Sequence, residues 1–123
     1  MLGVDLESIE SRDAGFDAVA FDEEERRLLE QLDGAQRDEW VTRAWCAKEA
    51  AGKAMGVGLA DGPATMVVRE LDPHAGAIRV SCGTTKTART SQSNGTRFMV
   101  HSIRDGNYIV AVAVEERNGH VKA

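Results

Sequence analysis

Two acids, Asp5 and Glu7 in Gly3-Val4-Asp5-Leu6-Glu7, are the first side chains along the chain whose spacing suits chemistry. On an extended strand, residues two apart face the same side, so both carboxylates project together. Like charges this close repel, and such a pair is ordinarily held by something positive. A hard divalent cation such as Mg2+ takes oxygen ligands, commonly one or two of them protein carboxylates. The plainer reading is a strand edge with ordinary solvated charges. A second group lies in Trp45-Cys46-Ala47-Lys48-Glu49-Ala50-Ala51-Gly52-Lys53. Glu49 and Lys53 are four apart and share a helix face, with Trp45 one turn earlier. Alone, such a pair is a surface ion pair worth a few tenths of a kcal/mol. A stretch of Ala and Gly with one Trp suits close packing better than a solvated face.

The elements that must position these groups follow from periodicity and punctuation. Residues 3–6 alternate loosely and read as a short strand at the N-terminus. Residues 22–32 read as a helix, with Asp22 as N-cap, Glu25 three positions on, and Leu28, Leu29 and Leu32 as an apolar stripe. A second helix is expected over 36–55, closed by Gly56, with Val41, Ala44, Trp45, Lys48 and Ala51 or Met55 at helical spacing. Gly52 inside it weakens the helix by about 1 kcal/mol relative to Ala and admits another backbone or a ligand. Residues 56–63 form a glycine-rich loop. Strands are expected over 64–71 and 77–82, then 97–103 and 107–115, the last two as a hairpin turning at Arg104-Asp105-Gly106. Residues 83–96 lack periodicity and read as a flexible loop, and 117–123 as a frayed tail. The order of one strand, two helices and four strands predicts an α+β fold over a single domain, 1–123, with helices packed on one face of a mainly antiparallel sheet.

The 123 residues suit one domain and a core that needs no staples. With 42% hydrophobic and 28% charged residues, disordered and collagen-like classes are excluded. The longest apolar run, 109–114, is far too short to span a bilayer, and Asp5 and Glu7 interrupt any signal-like stretch. Cys46 and Cys82 match no metal or redox spacing, so a reducing cytoplasmic setting is expected. Residues 1–33 hold eleven acids and three bases, whereas the remainder carries a net charge of +3. That argues against a nucleic-acid binder. An acidic pole suits a metal, and a mildly basic remainder suits phosphates or an acidic partner.

Gly3-Val4-Asp5-Leu6-Glu7, followed about forty residues later by Trp45-x-x-Lys48-Glu49-Ala50-x-x-Lys53, resembles the two-part signature of the 4'-phosphopantetheinyl transferases. Phe21, Asp22, Glu24 or Glu25 and Leu28 resemble that family's intervening helix start. Ala54-Met55-Gly56-Val57-Gly58 resembles the loop after its lysine helix. Val100-His101-Ser102, Tyr108 and Val110-Ala111-Val112-Ala113 resemble its closing hairpin. The length and Lys53-Ala54-Met55-Gly56 resemble the short holo-(acyl-carrier-protein) synthases, which assemble as trimers. Glu7 and Trp45 resemble the larger surfactin-type enzymes. The motif begins three residues into the chain, as in a domain excised from a megasynthase.

The resemblance implies transfer of 4'-phosphopantetheine from coenzyme A to a serine of an apo acyl or peptidyl carrier protein, releasing adenosine 3',5'-bisphosphate. Asp5, Glu7 and Glu49 would hold Mg2+, or Mn2+ in its place. Glu49 or a water would take the serine proton, and Lys53 would balance charge on the bridging and leaving oxygens. Lys48 would bind phosphate or neutralise the acids. His101 would meet a coenzyme A phosphate or be a half-buried, satisfied histidine. Lys86, Arg89 and Arg97 are candidates for the 3'-phosphate. Arg12, Arg26, Arg27, Arg37 and Arg43 are candidates for an acidic carrier helix, while Trp40 and Phe16 read as core. A homotrimer is expected, because these enzymes bind the cofactor between two like units and this chain has one copy of each motif. The competing reading is a carrier-binding or scaffolding module of the same fold without catalysis.

Overall fold

The computed structural model describes residues 1–56, 59, 62, 65–82 and 95–116. Its elements run β1 (Leu2–Ser8), α1 (Ala14–Ala20), α2 (Glu23–Glu30), a 3-10 turn at Gly34–Gln36, α3 (Arg37–Ala54), β2 (Met66–Asp72), β3 (Ala77–Cys82), β4 (Arg97–Asp105) and β5 (Tyr108–Glu116). The five strands form one sheet in the order β1-β5-β4-β3-β2, with every neighbouring pair antiparallel. The α+β architecture follows the expected order of elements, and one helix appears that the periodicity did not predict, α1.

Each helix begins where the local chemistry allows it. Asp13 caps α1 by accepting from the Phe16 N–H at 2.9 Å. Asp22 and Glu25 form a reciprocal capping box on α2, at 2.8 and 2.7 Å, satisfying two donors that a helix start leaves open. The β4–β5 hairpin turns on Gly106, whose φ of 63° suits the first central position of a type II′ turn. The turn therefore falls at Gly106-Asn107, about one residue later than the sequence suggested.

One face of the sheet is covered by α3. Ile78, Val80, Phe98, Val100, Ile109, Ala111 and Ala113 point into the core and meet Trp40, Val41, Ala44, Ala47, Ala50, Ala51 and Ala54. The run of alanines lets helix and sheet approach closely, and Gly3 sets the closest approach. A Cβ on Gly3 would lie 2.0 Å from the Ala50 carbonyl oxygen and 2.6 Å from the Ala54 nitrogen. Only glycine lets β1 lie this close to α3, and this contact brings the Asp5 strand against the Glu49 helix. The other face of the sheet carries apolar side chains to its surface: Val4 is 50% exposed, Leu6 58% and Ile103 63%.

Candidate active site

The inward alternation of β1 places Gly3, Asp5 and Glu7 on the α3 side of the sheet, with Asp5 opposite Ala111 and Glu7 opposite Ile109 on β5. Asp5 is buried, and its Oδ1 accepts from the Lys53 ammonium at 2.7 Å. Its Oδ2 is buried and has no hydrogen-bond partner among the described residues. Burial, the adjoining Asp5 carboxyl and the charge of Glu49 push the Glu7 carboxyl up to about 7, against a weaker pull from Arg12. Burial and the Asp5 charge raise Glu49 as well, and Lys53 opposes them. The hydrogen bond and charge of Asp5 raise Lys53 in turn. Mutual shifts of this kind arise where charged groups lie near one another; the direct contact is that of Lys53 with Asp5, with Glu7 on the same face of β1 and Glu49 one turn before Lys53 on α3.

The donor set fits a hard cation: all oxygens, anionic, with one buried oxygen unpartnered. Yet among the described residues no three His, Cys, Asp or Glu side chains are closed into a metal-holding group. The cation standing on Asp5 is Lys53 itself.

Lys48 lies elsewhere. It is buried, donates to the Ala20 carbonyl at 2.7 Å and to Glu25 Oε1 at 3.0 Å, and sits 5.1 Å from the centre of the Phe21 ring. Burial lowers its pKa, and the Glu25 charge opposes that shift. Glu25 also accepts from the Val68 N–H at 2.6 Å. This pair therefore ties α2, α3 and β2 together, and in this chain Lys48 reaches neither the acid cluster nor an open phosphate position.

His101 is exposed on the outer face of β4, between Ala77 and Val112, across the sheet from Asp5. It is neither half-buried nor beside the acid cluster of its own chain. Arg97 shares that outer face and is exposed. Lys86 and Arg89, most of the expected 83–96 loop, and the 117–123 tail lie outside the described residues.

The candidate carrier-facing arginines are largely engaged within the protein. Arg43 donates to the Ser102 carbonyl at 2.8 Å and pairs with Glu39 at 2.9 Å. Arg26 donates to the Phe21 carbonyl at 2.6 Å, and Arg37 pairs with Asp17. Arg12 donates to Thr42 at 2.6 Å and lies 5.1 Å from the centre of the Phe16 ring. Arg27 pairs with Glu23 at 2.8 Å on the open face of α2. Trp40 is core, and half-buried Phe16 packs edge-on against Trp45 with ring centres 5.4 Å apart. Cys46 is buried near Asp5, and burial followed by that charge pushes its thiol far up, which disfavours the nucleophilic thiolate. Glu25 was legible as part of the α2 capping box, but its pairing with Lys48, 23 positions away, was not.

Among the described residues no helix is long and apolar enough to cross a membrane. No curated protein matches the chain. Solved structures resemble it throughout. A holo-(acyl-carrier-protein) synthase from Bacillus anthracis str. Ames, in complex with CoA (3',5'-ADP), has a TM-score of 0.70 at 23% identity, covering 95% of this chain and 96% of that one. The holo-[acyl-carrier-protein] synthase of Neisseria meningitidis has a TM-score of 0.67 at 16% identity, covering 94% and 97%. Residues 1–113 match the sequence profile of the 4'-phosphopantetheinyl transferases, and the strand and helix that profile spans are the ones that carry the acid cluster. The chain belongs to the 4'-phosphopantetheinyl transferase superfamily.

Proposed function

We propose that the chain transfers 4'-phosphopantetheine from coenzyme A to a serine of an apo acyl or peptidyl carrier protein, in a Mg2+-dependent reaction that releases adenosine 3',5'-bisphosphate. What supports this reading is the Asp5–Lys53 contact where β1 meets α3, with Glu7 on the same face of β1 and Glu49 one turn before Lys53, in a chain of the transferase superfamily. Asp5, Glu7 and Glu49 are the residues that would hold the metal. When bound, it would supply charge neutralisation at the diphosphate. The carrier serine Oγ attacks the phosphorus that bears the pantetheine arm, and the bond from that phosphorus to the bridging oxygen breaks. Glu49 or a water takes the serine proton. Lys53, exposed at the mouth of the cluster, meets the charge that builds on the departing oxygen.

His101 and Arg97 enter this reading through a second copy of the chain. They lie on the opposite sheet face from Asp5, so a phosphate held by both groups would sit between two subunits. The apolar outer face favours such an assembly, and cyclic closure to a homotrimer gives three equivalent clefts. Reliance on coenzyme A and a carrier protein suits work in the cytoplasm.

The test is the mass of an apo carrier protein after incubation with coenzyme A and Mg2+. A gain of one phosphopantetheine arm, abolished by chelator, is the expected result. Carrier binding without any mass gain would replace this reading with the non-catalytic scaffold.

A further inference from the structure

Lys53 and a metal ion have claims on the same oxygen. The Lys53 ammonium stands 2.7 Å from Asp5 Oδ1, while Asp5 Oδ2 is buried and unpartnered. Glu7 and Glu49 are near enough to act on Lys53 and on each other, yet the acids are not closed around a common centre. Among the described residues Asp5 is the one hydrogen-bonding partner of Lys53, and half of its side chain is in solvent. It can therefore leave Asp5 without breaking another hydrogen bond among the described residues.

We infer that Lys53 is an internal counter-ion that latches Asp5 in the free protein, and that the diphosphate of coenzyme A releases the latch by offering the ammonium a second anionic partner. This rests on the proposed metal role of Asp5, Glu7 and Glu49. It adds an order to that role: the free protein binds metal weakly, and coenzyme A opens Asp5 to it. The coupling is reciprocal, so metal strengthens coenzyme A binding by the same factor through this residue. Lys53 then acts twice, first guarding the carboxylates against an unproductive cation and later facing the phosphate.

Mn2+ titration of the full chain, followed by electron paramagnetic resonance and corrected for Mn2+ held by coenzyme A in solution, tests this directly. Lys53→Met keeps the length of the stem and removes the ammonium, and Lys53→Gln serves as a second variant. Without coenzyme A, both variants should bind Mn2+ about tenfold or more tightly than the wild type, since a unit charge and a ligand competitor leave at contact range. With coenzyme A saturating for each protein, that advantage should shrink to within about threefold, because the diphosphate has by then drawn Lys53 off Asp5 in the wild type. Equal Mn2+ affinity of wild type and variants without coenzyme A would overturn the latch. A tenfold advantage persisting with coenzyme A would also overturn it, since Lys53 would then be only a repelling charge. Failure of every protein to bind Mn2+, with or without coenzyme A, would remove the carboxylate metal site and the latch with it, a result distinct from the other two.

Discussion

Glu49 and Lys53 are separated by one helical turn, a spacing that on most helices is an idle surface pair. Here Lys53 bonds not to Glu49 but to Asp5 on another element, and this long-range contact makes the pair a candidate for chemistry. Glu49→Gln keeps the volume and removes the proton acceptor, and Lys53→Ala removes the cation with no loss of helix propensity. Both variants should stay folded by circular dichroism while carrier modification falls by about 100-fold or more. Near-normal turnover in both would return them to the surface. Glu7 offers a second test at this scale. Its carboxyl is raised from an ordinary value of 4.5 to about 7 by burial and by its acidic neighbours. Between those values the folded chain binds more protons than the unfolded one, so this group's contribution to stability is full below pH 4.5 and is lost as pH rises to about 7. Melting temperatures of wild type and Glu7→Gln, measured without metal, should diverge in favour of the variant across that window, and Mg2+ together with coenzyme A should restore the wild type at its upper end. Parallel pH profiles would contradict the clustered acids.

The elements decide which residues could be placed from the sequence. β3 coincides with the strand expected over 77–82, and α3 lies within the expected 36–55, since both follow local periodicity and punctuation. α1 was not legible: it has only seven residues, Gly15 and Asp17 dilute its apolar stripe, and it is held by the packing of Phe16 on Trp45. That Asp5 and Glu7 share one face of β1, and Glu49 and Lys53 one turn of α3, was legible from spacing. Lys48 was not, because successive helix residues point about 100° apart and its partner Glu25 comes from a distant turn. That pair is an element-scale joint. Glu25→Gln leaves the buried Lys48 without its counter-charge, and the expected cost is about 3–5 kcal/mol in chemical denaturation, with turnover per folded molecule little changed. Gly3 is the other joint. Gly3→Ala drives a Cβ into the Ala50 carbonyl, a backbone clash that only separation of β1 from α3 relieves. It should destabilise by about 1–3 kcal/mol and, unlike Glu25→Gln, lower turnover of the folded protein because Asp5 moves with its strand. Unaltered turnover in Gly3→Ala would mean that the strand–helix approach does not set the site.

At the scale of the whole molecule, the sheet has one face committed to α3 and another that carries Val4, Leu6 and Ile103 into solvent. Apolar side chains grouped in this way mark an interaction surface, and His101 stands among them. If two chains build each cleft, Asp5 of one copy and His101 of its neighbour serve the same coenzyme A, and defects in the two residues can be separated by mixing. Asp5→Ala and His101→Ala homomers would each be impaired, the first through the metal and the second through phosphate binding. In mixed assemblies formed by unfolding and refolding the two variants together, about a quarter of the interfaces pair an intact Asp5 with an intact His101 under random assortment in a cyclic assembly. Activity of the mixture should therefore exceed that of either variant, and light scattering should show a trimer whose specific activity falls on dilution. Val4→Lys places a charge on the outer face without touching the core, and it should yield a folded monomer that no longer complements. A mixture no better than the average of its parts, together with a fully active monomer at nanomolar concentration, would confine the cleft to one chain and leave His101 without a part in it.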